Sequence, residues 1–226
     1  PDTGKQVRFE GCGGHFALSL DGVGEGFAES GKPHTLEFKT MNDKNFKVTK
    51  NMGVEKSKPI YWAQCQVGMI LSGIDRCYFF AVNKNTDEMY GERIKLDKKE
   101  AQGLIDKAEK IVFSNLPPDK LHEDPSNWQC KFCPYWAVCH GCKIPEVSCR
   151  TCAHVTPEKD GTWSCALGKP AVTCDDHLYI PQIMPKDLEM TDAGDDWVEY
   201  EDLDTGETFR NNGNSREIFE GRMRDG

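Results

Sequence analysis

Alternating apolar and polar residues dominate the start of the chain and predict β-strands there. Residues 5–21 form two such runs separated by glycines, which is typical of a β-hairpin. Residues 34–40 form a third run, and its central Phe38 is expected in the buried layer. The lysine-rich stretch that follows contains the breakers Gly53 and Pro59 and is expected to be a loop.

Two helices and two further strands are predicted next. Residues 59–73 begin with a proline and end with a glycine, which suit the first turn and the end of a helix. Residues 76–85 and 88–96 predict two strands. A second helix follows Asp97, whose spacing to Glu100 resembles a capping box. Its apolar residues recur at helical spacing and are expected in the core: Ala101, Leu104, Ile105, Ala108, Ile111 and Val112.

The order β-β-β-α-β-β-α predicts an α/β (α+β) fold over residues 1–125, with one mixed central β-sheet flanked by helices. The composition then changes. Residues 126–185 are rich in Cys, Pro, Gly and Trp, and their apolar residues are too sparse for a core, so small metal-stapled modules are expected. Residues 186–226 form an acidic tail with one predicted hairpin at 197–211, and little order is expected after Asn211.

Charge is distributed unevenly along the chain, whose net charge is −9. The tail at 186–226 has 13 acidic and 5 basic residues and contributes −8 of that total. Residues 32–58 have seven Lys and three acidic residues, a local charge of +4. Phosphate contact requires such a local basic stripe, although a solvated loop has the same composition. The tail is expected to repel DNA. It would compete with DNA for the lysines at 32–58, dock a basic partner such as a single-strand-annealing protein, or serve solubility alone.

Eleven cysteines are present, and eight of them lie between residues 130 and 174. Paired C-x-x-C spacing without a secretion signal indicates metal ligation rather than disulfides. The second cluster has the spacing of a zinc ribbon or knuckle, so Zn²⁺ is predicted there. Four thiolates in the first cluster accept either Zn²⁺ or a [4Fe–4S] cluster. The predicted ligands are Cys130, Cys133, Cys139 and Cys142 in the first cluster, and Cys149, Cys152, Cys165 and Cys174 in the second.

Other residues near these cysteines have two interpretations. His154 and His177 lie close to the second cluster, and the sequence leaves open whether one of them replaces a cysteine. Four aromatic residues are interleaved with the ligands. They are expected to pack around a metal in a minimal core, or else to stack on nucleic-acid bases: Trp128, Tyr135, Trp136 and Trp163.

Two carboxylates and a lysine are predicted to converge in the first domain. Asp21 ends the second strand, and Glu37 and Lys39 share one face of the third because residues two apart on a strand point the same way. Asp21 approaches Glu37 if these strands pair. Two neighbouring carboxylates suit Mg²⁺ or Mn²⁺, and an ammonium beside them suits metal-assisted phosphodiester hydrolysis. A surface Glu–Lys pair is the alternative interpretation.

Four short motifs follow one another between residues 7 and 113. They are Asp21-Gly22, then Glu37-Phe38-Lys39, then a helix with Tyr61, Gln64, Cys65, Gln66 and Met69, then the strand Cys77-Tyr78-Phe79-Phe80. In this order and spacing they resemble the PD-(D/E)xK nuclease superfamily. Within it, they resemble the lambda-exonuclease (YqaJ-like) viral recombinases of RecB-like type. The resemblance implies a restriction-endonuclease-like sheet.

The resemblance also implies a role for each matching residue. Asp21 and Glu37 would bind the divalent metal with help from the Phe38 carbonyl, and Lys39 would position the attacking water. Gln64 would contact metal-bound water or a substrate phosphate; the alternative is an amide on the helix face that the lysine-rich loop caps. Family members usually have a helix with a further acidic ligand before the hairpin, and we expect this chain to begin after that helix.

The function implied by the resemblance is that of a hydrolase. It is a metal-dependent DNA exonuclease of phage recombination type that cuts at duplex ends, and such enzymes are compatible with homo-oligomers and with a single-strand-annealing partner. No apolar run approaches the roughly 18–20 residues that span a bilayer, and the first residues do not resemble a signal peptide. We therefore expect no membrane contact and a cytoplasmic protein, in the host cytoplasm if the chain is phage-encoded.

Two other functions stay open. Residues 128–139, WQCKFCPYWAVC, resemble the C-x2-C-x5-C end of iron–sulfur RecB-like nucleases, including CRISPR-associated ones. The chain would then be an iron–sulfur CRISPR-associated or repair nuclease. A non-catalytic zinc-binding adaptor for DNA or protein, built on a nuclease fold, is the third possibility.

Overall fold

The computed structural model describes most of the chain, with the backbone alone at 222–224. The described ranges are 6–28, 30–114, 116–170, 175–213 and 215–224. The chain divides into two units. The first consists of Pro1–Val112 with Lys159–Gly161, and the second of Phe113–Glu158 with Thr162–Gly226.

A four-stranded mixed sheet forms the centre of the first unit. Strand β3 (Gly22–Gly24) runs antiparallel to β4 (His34–Met41), and β4 runs parallel to β5 (Arg76–Asn83). Strand β6 (Met89–Lys95) pairs antiparallel with β5 and is the last strand in the order β3-β4-β5-β6. The parallel pair requires a crossover between β4 and β5, and helices supply it. The predicted α/β fold with a mixed central sheet is confirmed.

The predicted N-terminal hairpin is also confirmed. Strands β1 (Val7–Gly11) and β2 (Phe16–Leu20) pair antiparallel in full register, apart from the central sheet. Gly68, on the helix that packs against them, has no room for a side chain, because an added Cβ would lie 2.7 Å from Cδ2 of Leu20. The glycine therefore lets β2 pack directly against that helix.

Three helices complete the first unit: α1 (Asp43–Ser57) and α2 (Pro59–Ser72) form the crossover, and α3 (Lys98–Val112) follows β6. Helix α2 begins at its proline and ends before Gly73, whose φ of 71° is left-handed, as predicted. Helix α3 begins as predicted, because Asp97 Oδ1 accepts hydrogen bonds from the amides of Lys99 and Glu100.

The predicted core stripe of α3 is correct only in part. Ala101 and Val112 are buried, but Leu104, Ile105 and Ala108 are only half-buried and Ile111 is 41% exposed. The core instead lies between the sheet and the helices α1 and α2. It consists of Met41, Phe46, Val54, Cys65, Met69, Cys77, Phe79, Ala81 and Ile94.

Helix α1 lies where the sequence predicted a loop, so that expectation is wrong. Asn42 caps its start by accepting a hydrogen bond of 2.9 Å from the amide of Asn45. At Gly53 the backbone leaves helical geometry, with a φ of 77°. Helical structure resumes because Glu92 accepts a hydrogen bond of 2.8 Å from the amide of Val54. A carboxylate from β6 thus caps the second part of the helix.

The first half of the second unit consists of short elements around the cysteines. Helices α4 (Trp128–Lys131) and α5 (Trp136–Cys139) follow each other closely. A small hairpin pairs β7 (Val155–Pro157) with β8 (Trp163–Cys165).

The second half of this unit is a folded module rather than a loose tail. Strands β9 (Leu188–Ala193), β10 (Val198–Asp202) and β11 (Thr208–Asn211) form an antiparallel sheet in the order β11-β10-β9. The predicted hairpin is its β10–β11 part. The sheet has an apolar cluster of Leu188, Val198 and Tyr200, to which Leu178 contributes from the segment before β9.

The segment after Asn211 is helical, so the expected loss of order there is wrong. Helix α6 (Ser215–Arg224) begins at a buried serine whose hydroxyl contacts the Asn211 side chain and donates to the His177 carbonyl. Asn211 also accepts a hydrogen bond of 3.0 Å from the amide of Tyr179. A buried polar network therefore orders this end of the chain.

Within the described residues, no helix is both long enough and apolar enough to cross a membrane.

Candidate functional site

Glu37 and Lys39 form an ion pair on one face of β4. The strand alternates so that Thr35, Glu37 and Met41 are buried towards the core helices. Glu37 is only 1% exposed, and the Lys39 ammonium binds its Oε1 directly. Lys39 keeps about a fifth of its side chain in contact with solvent, at 22% exposure. The pair therefore has one buried partner and one partner that a ligand can reach.

Asp21 lies at the same point, as the sequence predicted. Gly22 pairs with Leu36 in the β3–β4 ladder, which places Asp21 beside the middle of β4. Its Oδ2 accepts a hydrogen bond of 2.7 Å from the amide of Phe38, and its Oδ1 accepts one of 3.2 Å from Gln6. The two predicted carboxylates are thus neighbours.

The electrostatics of Glu37 follow from this placement. Burial raises the pKa of the Glu37 carboxyl, the bond to Lys39 works in the opposite direction, and the nearby Asp21 charge raises it further. Two carboxylates that share a site repel each other when both are ionised. A cation between them would relieve that repulsion.

Three residues that received no role from the sequence surround this pair. The Tyr61 ring on α2 lies under Lys39, with 5.2 Å from Nζ to the ring centroid, which is within cation–π range. Cys65 on α2 and Cys77 on β5 are buried and hydrogen-bonded to each other, and this bond together with burial raises the pKa of the Cys65 thiol. The sequence contains two indications of these contacts. Buried and half-buried residues alternate along β5, and Tyr61 and Cys65 are four residues apart, so they share one face of α2.

The structure places Phe38 on the outer face of the sheet and Gln64 on α2. Phe38 is 49% exposed and contacts the edge of Phe80 on the outer face of the sheet, so the prediction that it is buried is wrong. Gln64 is half-buried on α2. Its neighbour Gln66 is fully buried, donates to the Lys95 carbonyl at 3.0 Å and accepts from the amide of Asp97 at 2.8 Å. Gln66 therefore connects α2 to the start of α3.

A basic helix begins directly after the strand that holds the pair. The lysines of α1 at 44, 47, 50 and 56 are all exposed. Two of them have acidic neighbours, since Lys47 binds Asp43 at 2.8 Å and Lys50 binds Glu88. Exposed pairs of this kind are weak and can be exchanged for other anions.

The predicted cysteine ligands lie on tight turns. In the first cluster the amide of Cys133 donates to the Cys130 carbonyl at 2.8 Å, and Cys139 ends α5. In the second cluster Cys149 and Cys152 flank a 3-10 turn. The remaining predicted ligands are the exposed Cys142, Cys165 at the end of β8, and Cys174, which lies outside the described residues.

In the part of the chain that the structure describes, the predicted cysteine ligands are not grouped as a metal site. Across the described ranges, no group of three or more His, Cys, Asp or Glu side chains lies in an arrangement that could hold a metal ion. The His177 side chain makes hydrogen-bonding contacts with the turn around Cys149 instead. Its Nε2 lies 3.0 Å from the Ser148 carbonyl and 3.1 Å from Thr151 Oγ1, and the ring is buried against Tyr179. These contacts make His177 a packing residue that fixes the turn between Cys149 and Cys152.

The aromatic residues of the first cluster are not packed as expected. Trp128, Phe132 and Tyr135 are 72%, 80% and 70% exposed. Trp136 is held by its own ring nitrogen, which donates to the Pro125 carbonyl at 3.1 Å. Trp163 is half-buried, with the Arg150 guanidinium 5.3 Å from its ring centroid. The predicted minimal aromatic core around a metal is therefore absent at Trp128 and Tyr135.

Comparisons with known proteins give little beyond this geometry. No protein-family model matches the chain, and no curated protein matches it. Among solved structures, SSO0001 matches with 18% sequence identity and a TM-score of 0.37, over 55% of this chain and 50% of that one. A likeness at this level supports no inference about fold or function.

Proposed function

We propose that the chain is a metal-dependent DNA nuclease of PD-(D/E)xK type, an exonuclease that hydrolyses phosphodiester bonds at duplex ends. One observation supports this most strongly. Asp21, Glu37 and Lys39 lie together at the middle of β4, where two carboxylates meet one partly exposed ammonium. Glu37 is only 1% exposed, whereas the glutamate of a chance Glu-x-Lys sequence on a surface strand stays in contact with solvent.

Asp21 and Glu37 fit a magnesium or manganese ion, because such sites typically use one or two carboxylates together with substrate phosphates. These two side chains, with the Phe38 carbonyl, would hold the ion. When bound, it supplies Lewis-acid activation of the phosphate and of the attacking water. Burial of Glu37 makes an uncompensated negative charge unfavourable there, which favours cation binding at this position.

Lys39 has the placement of a positioning and charge-stabilising group. Its ammonium is oriented from one side by Glu37 and from below by the Tyr61 ring. Its exposed part can donate a hydrogen bond to the attacking water or to a phosphate oxygen. A pre-oriented cation loses little entropy when the substrate arrives, which is how such groups lower a barrier. Gln64 on α2 is proposed to assist on the phosphate side.

Helix α1 is proposed to contact the DNA backbone. Its four exposed lysines follow the strand that bears Glu37 and Lys39, so they are tied to the same element of the first unit. Backbone contact by lysines gives affinity without sequence preference, as an end-directed exonuclease requires. We also propose a cytoplasmic location, where its DNA substrate would be found.

The cysteine clusters are proposed to be structural metal sites. Cys149, Cys152, Cys165 and Cys174 would hold Zn²⁺, and the cluster at 130–142 would hold Zn²⁺ or a [4Fe–4S] cluster. Two of the three C-x-x-C pairs, Cys130–Cys133 and Cys149–Cys152, already lie on tight turns, which is the local geometry that such sites use. Metal analysis with visible spectroscopy of aerobically purified protein separates the options, since an iron–sulfur cluster is coloured and zinc is not.

The substrate preference tests the proposed activity. Linear duplex, closed circular duplex and single-stranded circle of the same sequence are incubated with the protein and Mg²⁺, and released nucleotides are measured. We expect degradation of the linear duplex alone. Degradation of circles would favour the iron–sulfur repair-type nuclease. No degradation of any substrate, with DNA binding retained, would favour the adaptor.

A further inference from the structure

Three aromatic rings on one short segment of the second unit face solvent. Trp128 begins α4, Phe132 follows its last residue, and Tyr135 precedes α5. Each is at least 70% exposed, and among the described residues no ring contact involves any of the three. We refer to Trp128, Phe132 and Tyr135 as the aromatic surface. Rings of this size are usually largely buried, and a concentration of exposed apolar residues marks a candidate interaction site.

The backbone beneath the aromatic surface is well ordered by local hydrogen bonds. Asn127 caps α4 by accepting from the amide of Gln129 at 3.0 Å. The Trp136 ring nitrogen ties the far end back to the Pro125 carbonyl. Rings on such a segment are presented to a ligand without the cost of ordering a loop.

The segment that bears the aromatic surface has two lysines of its own, and the acidic residues Glu123, Asp124 and Glu146 flank it on both sides. Residues 125–145 contain Lys131 and Lys143 and no acidic residue, in a chain whose net charge is −9. Lys131 and Lys143 are exposed, and no salt bridge within the described part of the chain involves either of them.

A pair of lysines adds to this charge. The side chains of Lys120 and Lys186 are neighbours, and the proximity of Lys186 lowers the pKa of Lys120, whereas the charge of Glu123 raises it. Lys120 also interacts electrostatically with Cys139, the last residue of α5, which places the pair beside the segment that bears the rings. Two neighbouring ammonium groups repel each other, and an anion between them relieves the repulsion.

We propose that the aromatic surface, with Lys120 and Lys186, binds single-stranded nucleic acid. Separate exposed rings are suited to stack on unpaired bases, and the paired ammonium groups are suited to hold a phosphate. Duplex bases are already stacked on each other and cannot use the rings. The site lies outside the region that bears Glu37 and Lys39, and it does not depend on the proposed nuclease activity.

Fluorescence anisotropy of labelled 20-mers tests this proposal with the full-length chain. Three ligands are compared without added Mg²⁺: oligo-dT, oligo-rU, and an abasic deoxyribose-phosphate oligomer of the same length. Trp128→Ala, Phe132→Ala and Tyr135→Ala should each weaken binding of the ligands with bases by about 5- to 100-fold. They should leave binding of the abasic oligomer unchanged. The dT and rU arms tell whether DNA or RNA is preferred.

The charged pair has a separate signature. Lys120→Gln with Lys186→Gln should weaken binding of all three ligands. It should also reduce the salt dependence of binding, by about 0.7 in slope for each phosphate that the lysines no longer neutralise. Lys107→Gln, an exposed lysine on α3, is the matched control and should change neither the affinity nor the salt dependence.

Leu121→Ala is the matched control for the rings. Leu121 is as exposed as Tyr135, at 70%, but has no π-face. Its replacement should leave binding unchanged.

The proposal is overturned if the ring variants bind dT and rU like the wild type, if they weaken binding of the abasic oligomer equally, or if Leu121→Ala has the same effect as they do. Loss of a dimer in sedimentation by the ring variants, with unchanged nucleic-acid binding, would assign the surface to self-association instead. If the ring variants bind all ligands like the wild type and still degrade DNA, the aromatic surface is not a nucleic-acid site and the nuclease proposal stands.

Discussion

Asp21 Oδ2 accepts a hydrogen bond of 2.7 Å from the amide of Phe38, the residue between Glu37 and Lys39. This bond joins the bend after β2 to the middle of β4. It holds the Asp21 charge close enough to Glu37 to raise the pKa of that buried carboxyl. One side chain therefore has two roles, one in the backbone structure and one in the charge of the site.

The two roles of Asp21 can be separated by mutation. Asp21→Asn keeps an oxygen that accepts the Phe38 amide but removes the charge, whereas Asp21→Ala removes both. We expect both variants to lose DNA degradation, and Asp21→Ala alone to lose about 1 kcal/mol of stability. Urea unfolding and nucleotide release measure the two effects. An active Asp21→Asn would show that its charge is not needed and would remove it from the proposed metal site.

Two glutamines on α2 provide a matched pair. Gln66→Ala leaves the Lys95 carbonyl and the Asp97 amide without their partner and should cost about 1–3 kcal/mol of stability. Gln64→Ala removes a half-buried side chain and should change stability by no more than about 0.5 kcal/mol. Its effect should appear in the rate of DNA degradation. The same denaturation and activity assays check both variants, and the opposite assignment of effects would contradict the roles given to the two residues.

His177 should make the stability of the second unit depend on pH. Burial lowers its pKa to about 4, below the unfolded value of about 6.5, so the unfolded state binds the proton more readily. Its contribution is complete above pH 6.5 and is lost as the pH falls towards 4, on the order of 3 kcal/mol in total. Tryptophan fluorescence reports this unit, because four of the five tryptophans lie in it. His177→Gln should flatten the profile, and an equally steep profile in that variant would exclude His177 as its source.

Chelation should affect the second unit unevenly. Residues 128–165 depend on the proposed thiolate sites, whereas the β9–β11 sheet has the apolar cluster of Leu188, Val198 and Tyr200. We expect a chelator to expose 128–165 to protease first, with 188–211 protected for longer. Mass spectrometry of a timed digest locates the cuts. Identical digestion with and without chelator would argue against structural metal in this unit.

The elements that the sequence predicted well have local signals at their ends. Helix α2 has Pro59 and Gly73, so capping chemistry predicts both of its ends, and the Asp97 cap predicts the start of α3. The convergence of Asp21 on Glu37 was predictable because strand alternation and pairing decide it. The carboxylate site of the first unit was therefore accessible from pattern alone.

The elements that the sequence missed depend on partners far away in the chain. Helix α1 contains a glycine with left-handed geometry, and Glu92 on β6 supplies the cap that lets it continue. Helix α6 starts from a buried network between Asn211 and Ser215, and the sequence around it has few apolar residues to indicate a helix. The exposure of Phe132 likewise could not be predicted, since tertiary packing decides which rings are covered.

The central claim is that Glu37 is part of a metal-dependent active site. The most direct measurement is the initial rate of Mg²⁺-dependent nucleotide release from linear duplex by the wild type and by Glu37→Gln, with Glu109→Gln on the exposed side of α3 as control. We expect Glu37→Gln to be slower by at least about 100-fold. Its free energy of unfolding at neutral pH should be no lower than that of the wild type, because burial disfavours the ionised carboxylate that the variant lacks. A rate for Glu37→Gln equal to that of Glu109→Gln, or a wild-type chain that releases no nucleotides, would contradict the assignment.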